Sequence, residues 1–229
     1  SENSIIGDAT SSKTKHEGTP QAQTPELSET SEVTVQDTGK NVSPEINNKD
    51  TSRLSSTLIQ DAQIDRVKEF LLSNIVILSI KDNNVRNKDI DRSEIDRLDT
   101  QWRKERNEKD KPLIAATLSN PLSSYLTRVQ AHSVGLYTEI FVMDNKGLNV
   151  GQSSVTTDYW QGDEDKWLET FGTGNAAVFI DKEEYNEQFG VWVAQLSITI
   201  MDPESGRAIG AATAEINLNE IKRRAQLMK

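Results

Sequence analysis

The stretch from Leu136 to Ser153, LYTEIFVMDNKGLNVGQS, predicts a β-hairpin and with it the class of fold. Residues 136–144 have the alternation of a strand, and residues 148–153 supply the strand that returns beside it. Asp144-Asn145-Lys146-Gly147 lies between them, with a glycine where a tight hairpin turn requires one. The pattern before Gly135 is helical, so the hairpin marks the point at which the chain changes from helices to strands.

Strand-like runs follow the hairpin at Ala176 to Asp181, Val191 to Met201 and Ala208 to Leu218. The Pro- and Gly-containing turn from Asp202 to Gly206 joins the last two runs. We therefore predict five strands, joined mostly by hairpins, with a crossover after the second strand. The final residues, from Asn219 to Met228, predict a helix whose basic C-terminal end complements the helix dipole.

The residues before the hairpin predict helices. Apolar side chains between Leu54 and Leu78 recur at spacings of three and four, which indicates a helix of about 30 residues that begins at a Thr51-Ser52 cap. We expect this helix to end near 84. Further helix starts are predicted at Asp89 or Asp91, at Pro112 and at Asn120-Pro121. The fold class is α+β, with an antiparallel sheet, a long N-terminal helix packed on it and further helices before strand one.

Residues 1–50 form a separate compositional block, rich in Ser and Thr, with nine acidic and four basic residues and no aromatic residue. Such a segment cannot bury enough apolar area to offset its chain entropy, so we predict a disordered acidic tail. It is either a tether to an anchor or an inert terminus. The predicted parts are thus the tail at 1–50, the long helix and helical segment at 51–135, the sheet at 136–218 and a C-terminal helix at 219–229.

Composition argues against several classes of function. The 229 residues carry a formal net charge of −10, so we expect neither nucleic-acid binding nor electrostatic attraction to an anionic bilayer. No run approaches the roughly 18–20 apolar residues that span a membrane. Cysteine is absent, which removes disulfide and thiolate chemistry and leaves the fold to packing alone.

The most unusual stretch is DYWQGDEDKW, from Asp158 to Trp167. It is too polar for a core strand and too aromatic for a solvated linker. Aromatic walls with a few placed polar groups are typical of a small-molecule pocket, so we expect this loop to cover a ligand on one face of the sheet. The predicted ligand-binding residues are Tyr137, Asp158, Tyr159, Trp160, Asp163, Trp167 and Trp192.

In this interpretation Tyr159 and Trp160 form walls, and Asp158 or Asp163 binds an ammonium group through a charge-assisted hydrogen bond. Simpler interpretations remain open, with Trp160 and Trp167 as packing anchors and Asp163 as a helix N-cap. Strand alternation places four side chains on one face of the first strand: Tyr137, Glu139, Phe141 and Met143. On the fourth strand it separates Trp192, Ala194 and Leu196 from Val193 and Gln195.

We expect no catalytic residue, no metal site and no cofactor. The chain has two histidines, His16 and His132, too few for a multi-histidine metal site. Ser153-Ser154 has no nearby histidine base, and the crowded carboxylates of residues 158–165 do not form the facing pair that glycoside hydrolysis needs. Weak Ca²⁺ binding by this acidic loop is a less favoured alternative, because the spacing lacks the regular loop of calcium hands.

Several segments, taken in their order along the chain, carry a resemblance to a known family. They are Leu98-Asp99-x-x-Trp102-Arg103, Asn120-Pro121-Leu122, Glu139 to Val150, Thr157 to Glu164, and Asp202 to Ala211. Together they resemble the extracytoplasmic Cache domains, also called PDC sensor domains, which are relatives of the PAS fold. The resemblance spans residues 54–218 and is to a single domain rather than a tandem one.

The resemblance implies a five-stranded antiparallel PAS/Cache-like sheet and a non-catalytic sensor for a small solute, such as an amino acid, an amine or an organic acid. It also implies a periplasmic or otherwise extracytoplasmic location, a membrane anchor upstream of residue 1 and a signalling partner protein. After Leu218 the chain departs from most members, which continue into a membrane helix, so we expect either a truncated receptor or a stand-alone sensor. The alternative is a structural module that forms a homodimer through the 51–84 helix and binds no ligand.

Overall fold

Six strands form one antiparallel sheet in the computed structural model, which describes residues 53–227. They are β1 (Tyr137–Met143), β2 (Asn149–Gln152), β3 (Val178–Ile180), β4 (Glu184–Asn186), β5 (Val191–Met201) and β6 (Ala208–Asn217). The spatial order is β2-β1-β6-β5-β3, and β4 also pairs with β5. The predicted α+β class with an antiparallel sheet is confirmed, and β4 is a short sixth strand that the sequence patterns do not indicate.

Helices precede, interrupt and follow the sheet within the described residues. They are α1 (Asp61–Leu71), α2 (Asn74–Arg86), α3 (Arg92–Glu105), α4 (Pro112–Leu118), α5 (Pro121–His132), α6 (Asp165–Leu168) and α7 (Leu218–Leu227). The predicted starts at Asp91 and Asn120 are confirmed, since both side chains accept an N-cap hydrogen bond. None of the helices in residues 53–227 has the length and apolar character required to cross a membrane.

The prediction of one continuous helix over residues 51–84 is wrong in the described part of that range. A 3-10 turn at Ser56–Leu58 is followed by α1 and then by α2, with a break at Leu72 and Ser73. Ser73 has an extended backbone, with φ −73° and ψ 153°, and directly precedes α2. Serine favours helix ends over helix interiors, so the helix is interrupted at Ser73. The spacing of the apolar residues continues through this position, and it therefore does not reveal the break. The predicted Thr51-Ser52 cap and the 1–50 tail lie outside the described residues.

One face of the sheet carries the main apolar core. Alternate residues of β5 and β6, among them Leu196, Ile198, Ala214 and Ile216, are buried against helices α1, α2 and α5. The helices contribute Val67, Leu71, Val76, Ile80, Leu122 and Leu126. Each large side chain buried in this way stabilises the fold by about 1.5–3 kcal/mol, which makes this layer the main source of stability.

The opposite face of the sheet divides into an apolar part and a polar part. In the apolar part Phe141, Met143 and Ala211 form a small cluster, against which Trp167 and Phe171 pack. In the polar part the strands present acids and amides instead, and no helix of the main core covers them. The candidate site lies over this polar part.

Asp144 joins the β1–β2 turn to the end of α2. Its carboxylate is fully buried, and one oxygen accepts the backbone N–H groups of Lys146 at 2.8 Å and Leu148 at 2.9 Å. The other oxygen accepts the side-chain amides of Asn83 at 2.9 Å and Asn87 at 3.0 Å. The turn predicted at residues 144–147 is therefore present, and the same acid that shapes it also fixes the helix.

Candidate ligand-binding site

A cavity of about 820 Å³ lies over the polar part of the sheet, within the size range of small-molecule pockets. Strands β1, β5 and β6 form its floor with Thr138, Glu139, Phe141, Val193, Gln195 and Glu215. Residues from 154–166 form its cover, and residues 184–189 form its side wall. Arg106, just after α3, closes one edge.

A β-bulge in β1 places adjacent polar side chains in this floor. Tyr137 pairs with Ile216 and Glu139 pairs with Glu215, so Thr138 is an extra residue on β1. Glu139 therefore faces the cavity, whereas Tyr137 belongs to the main core on the other face. The prediction that Tyr137 and Glu139 share a face is wrong, because a bulge interrupts the alternation on which it rests.

Two glutamates lie side by side on the floor. Glu139 and Glu215 are directly opposite in the pairing of β1 and β6, which brings their Cβ atoms to about 4.5–5.5 Å. Glu215 accepts hydrogen bonds from Thr138 Oγ1 at 2.6 Å and Asn186 Nδ2 at 3.2 Å. Glu139 accepts a hydrogen bond from Ser154 Oγ at 3.1 Å. Neutral donors thus hold both carboxylates in place.

Burial raises the pKa of the Glu139 carboxyl to about 7, and the negative charge of Glu215 adds to the shift. The Ser154 hydroxyl and the positive charges of Lys166 and Arg106 act in the opposite direction. Glu139 therefore changes its charge in the neutral range instead of near the ordinary value of 4.5. The negative charge of the cavity floor consequently depends on pH.

Cationic side chains reach the cavity from its cover and its edge. Lys166 is 9% exposed, and its Nζ forms an ion pair with Glu164 at 2.9 Å and lies 3.4 Å from Gln161 Oε1. Arg106 is exposed and donates from Nη1 to the backbone oxygen of Thr157 at 3.2 Å. The cavity therefore has an anionic floor, a positive charge in the cover opposite the floor and another at its edge.

The side wall adds aromatic surface. Tyr185 belongs to this wall, but its ring packs edge-on against Trp192, which lies on the helix side of the sheet, with centroids 5.5 Å apart. Phe189 also lines the cavity and is 52% exposed, an unusual position for a large apolar ring. Glu184 and Glu187 are exposed on the same wall and add negative charge.

The residues that the sequence predicts for ligand binding lie outside the lining of this cavity. Asp158 forms an ion pair with Arg103 at 3.1 Å, and Asp163 is exposed. Asp163 is not the N-cap of α6, a position that Glu164 occupies. Tyr137 and Trp192 both pack against the main core on the helix side of the sheet. The structure therefore does not bring the seven predicted residues together around one space.

The aromatic residues of the 158–167 segment attach it to the hairpin turn. The Trp160 indole N–H donates to the backbone oxygen of Lys146 at 2.7 Å, and the Trp167 indole N–H donates to that of Asp144 at 3.2 Å. Trp160 also forms an isolated antiparallel bridge with Leu148. These bonds place the segment over the sheet, as the sequence predicts, while its polar residues Gln161, Glu164 and Lys166 line the cavity.

Helix α3 holds the same segment from the other side through the L-D-x-x-W-R motif. Asp99 Oδ1 accepts the backbone N–H groups of Tyr159 at 2.9 Å and Trp160 at 3.1 Å. The Trp102 ring is fully buried and stacks on Tyr159 with centroids 5.3 Å apart. Its indole N–H donates to the backbone oxygen of Thr156 at 3.0 Å. The motif thus positions the cover of the cavity and does not line it.

The lining residues that sequence reasoning missed are acids and amides within otherwise apolar strands. Glu139 lies in TEIFVM, Glu215 lies in TAEIN, and Gln195 lies in VWVAQL. A polar residue in such a run is itself a signal, because an apolar strand gains little by including one. Their convergence was not predictable locally, since it depends on the pairing of β1, β6 and β5.

The chain is similar to several solved sensor domains. The ligand-binding domain of the Pseudomonas aeruginosa PAO1 amino acid chemoreceptor PctC has 11% identity and a TM-score of 0.32, with 71% of this chain and 62% of that chain covered. The sensory domain of the Campylobacter jejuni chemoreceptor Tlp3 has 13% identity and a TM-score of 0.36, with 73% and 66% covered. The sensor domain of the V. cholerae histidine kinase DctB has 11% identity and a TM-score of 0.34, with 71% and 58% covered.

No protein-family model matches the chain, and no curated protein matches it. The chain spans about three fifths of the length of the solved domains that it matches. These similar structures are sensor domains of chemoreceptors and a histidine kinase.

Proposed function

We propose that this protein is a non-catalytic, extracytoplasmic sensor domain that binds a small solute over the sheet, beneath the 158–167 segment. The observation that carries the proposal is the cavity of about 820 Å³ with an anionic floor, a buried lysine in its cover and the aromatic side chains Phe141 and Phe189 in its lining. Charges of both signs beside aromatic surface suit a small solute such as an amino acid, an amine or an organic acid.

The similar solved structures supply the first compounds to test. The PctC domain was solved with GABA, and a Tlp3 domain was solved with L-valine. A sensor of this class would also require a signalling partner and an attachment to the membrane, which we place upstream of residue 1.

A thermal-shift screen tests the proposal. The panel contains amino acids, primary amines and small carboxylates, each far above its expected dissociation constant. A solute at about 100 times its dissociation constant adds roughly 2.7 kcal/mol to the free energy of unfolding, which raises Tm by several degrees. A panel in which no compound shifts Tm contradicts the proposal.

Two matched valines separate binding in the cavity from binding elsewhere. Val155 lines the cavity and is 42% exposed, whereas Val178 lies on β3 outside the cavity and is 41% exposed. We expect Val155→Trp to abolish the shift by filling the entrance, and Val178→Trp to retain it. Equal shifts in both variants would place the solute in a different site.

A second role, formation of a homodimer through helices α1 and α2, is favoured by two exposed apolar residues on one face of α2. Leu78 and Val85 lie seven residues apart on α2, which places them on one face, and they are 64% and 71% exposed. We propose that a second copy of the chain covers this face. Light scattering is expected to give a dimer mass for the wild type and a monomer mass for Leu78→Glu, and a monomeric wild type excludes this role.

A further inference from the structure

Three hydrogen-bond acceptors form a row across the floor of the cavity. Glu139 on β1 is directly opposite Glu215 on β6, and Glu215 is directly opposite Gln195 on β5. All three side chains line the cavity. Gln195 Oε1 is buried and accepts no hydrogen bond from any described residue. Neighbouring strands lie about 4.8 Å apart, so the backbones of the outer two residues are separated by about 10 Å, and their long side chains can converge on one small group above Glu215.

The acids in this row lack a direct counter-ion. Within residues 53–227, neither Glu139 nor Glu215 has a Lys, Arg or His nitrogen within 4.0 Å. The charged groups that face them from the surrounding elements are Lys166 and Glu164 of the cover, Arg106 after α3, and Glu184 and Glu187 of the side wall. Acids outnumber bases in this set, and Lys166 is already paired with Glu164.

We propose that Glu139, Glu215 and Gln195 form the subsite for a primary ammonium group, and that an amine-bearing solute displaces a proton from the glutamate pair when it binds. An ammonium group has three N–H donors and no acceptor, which matches one acceptor oxygen from each of the three side chains. The inference rests on the proposed function, because it assigns the chemical class of the solute for the same cavity.

The protonation change follows from the geometry of the pair. Two carboxylates side by side in a buried floor do not both ionise readily, so Glu139 retains a proton below about pH 7 when the cavity holds no cation. Burial is the larger cause of the raised pKa of Glu139, which is about 7, and the negative charge of Glu215 adds to the shift. An incoming ammonium group supplies the missing positive charge. The O–H bond of Glu139 then breaks, its proton passes to solvent, and the solute remains an ammonium ion.

Matched compounds separate this inference from the proposed function. We use γ-aminobutyrate, butylamine, butyrate and butanol as one set, and L-valine, isobutylamine and isovalerate as a second set, within the broader panel. Every compound that raises Tm is expected to carry an ammonium group. Stabilisation by a carboxylate or an alcohol, without stabilisation by any amine, overturns the inference while the proposed function stands. Stabilisation by no compound rejects both.

Titration calorimetry of the best amine tests the proton step. At about pH 6 the wild-type protein is expected to release a substantial fraction of a proton, seen as a binding enthalpy that differs between phosphate and MES buffers, neither of which contains a primary amine. Glu139→Gln is expected to weaken amine binding by roughly tenfold to a hundredfold and to remove the buffer dependence. A binding enthalpy in the wild type that is the same in both buffers contradicts the proton step.

Two further variants control for folding and for general charge effects. Glu215→Gln is expected to weaken amine binding by a similar factor, whereas Glu169→Gln, an exposed acid outside the cavity, is expected to leave it unchanged. Circular dichroism reports whether each variant remains folded. Wild-type affinity for the amine in a folded Glu139→Gln protein overturns the assignment of the subsite.

Discussion

Glu139 makes the folded state less stable at neutral and alkaline pH than under mildly acidic conditions. Its pKa is about 7 in the folded protein, compared with the ordinary value of 4.5, because burial and Glu215 disfavour its charge. The folded state therefore binds more protons than the unfolded state between these values. Its contribution to stability is complete below about 4.5 and is lost as the pH rises through about 7, a change of up to roughly 3 kcal/mol.

Glu139→Gln is expected to remove this dependence, since the amide stays neutral at every pH. The variant should be more stable than the wild type at about pH 8 and close to it at about pH 5. Urea unfolding at both pH values measures the difference, with Glu169→Gln as the exposed-acid control. Parallel stability curves for the wild type and Glu139→Gln would contradict the expectation.

At Gly147, the addition of a single methyl group should push the hairpin turn away from the segment that covers the cavity. The φ of Gly147 is +82°, and a Cβ there would lie 2.5 Å from the Cα of Gly162 in the covering segment. Gly206 has a similar φ of +67°, but a Cβ there meets no atom within 4 Å. We expect Gly206→Ala to cost about 1 kcal/mol from backbone strain alone, and Gly147→Ala to cost roughly 3 kcal/mol or more.

Chemical denaturation of both glycine variants provides the comparison. Gly147→Ala should also change tryptophan fluorescence, because Gly162 lies against the Trp160 ring. Equal losses of stability in the two variants would show that the methyl group at 147 is accommodated without displacing the covering segment.

Helix α3 acts on the cavity from a distance, through the segment that it holds. Asp99→Ala removes the acceptor for the backbone N–H groups of Tyr159 and Trp160, a loss of roughly 1.5–3 kcal/mol for hydrogen bonds to a charged group. We expect faster amide hydrogen exchange at residues 158–167 and weaker solute binding. Asp96→Ala is the matched control, since Asp96 lies on the same helix and is bonded only to the exposed Arg92. Equal exchange rates in both variants would contradict this role.

Elements that depend on local signals were predictable from the sequence. Asp91 and Asn120 cap helices through their own side chains, and the turn at residues 144–147 contains the glycine that it requires. The break at Ser73 has a local cause, the preference of serine for helix ends, but the apolar stripe that runs through it indicated one helix. The bulge at Thr138 was not predictable, because it depends on the pairing of β1 with β6. β4 is only three residues long, and it is a strand because it pairs with β5. Residues 184–186 carry no local pattern that indicates this pairing.

The position of the cavity was predictable from the sequence, but its lining was not. An aromatic cluster indicates that its segment packs closely against another surface, but it does not show whether that surface is a ligand or another part of the protein. Here Trp160 and Trp167 use their single N–H donors on carbonyls of the hairpin turn, as packing anchors do. Glu139 and Glu215 become neighbours only when β1 pairs with β6, across 76 residues of sequence.

At the scale of the whole molecule, the net charge of −10 predicts a dependence of stability on salt. Many of the described ion pairs, such as Arg86 with Asp82 and Arg92 with Asp96, join exposed side chains and contribute little. Repulsion among the excess acids therefore dominates the long-range electrostatics. Tm is expected to rise when sodium chloride is increased from about 0.01 M to 0.15 M, which shortens the screening length from about 30 Å to 8 Å. A fall in Tm over this range would show that the ion pairs outweigh the repulsion.

Asp144 serves three elements at once: its carboxylate holds the hairpin turn and the end of α2, and its backbone oxygen accepts the Trp167 indole. Each of these elements is bonded to the same residue, so displacement of Asp144 breaks the bonds of all three. Local opening at one of them should therefore involve all three, as a single cooperative unit. The backbone protons of Asn87, Leu148 and Trp167, far apart in the sequence, should consequently give a common free energy of opening in hydrogen–deuterium exchange, and a compound that raises this value for one should raise it for the others to the same extent.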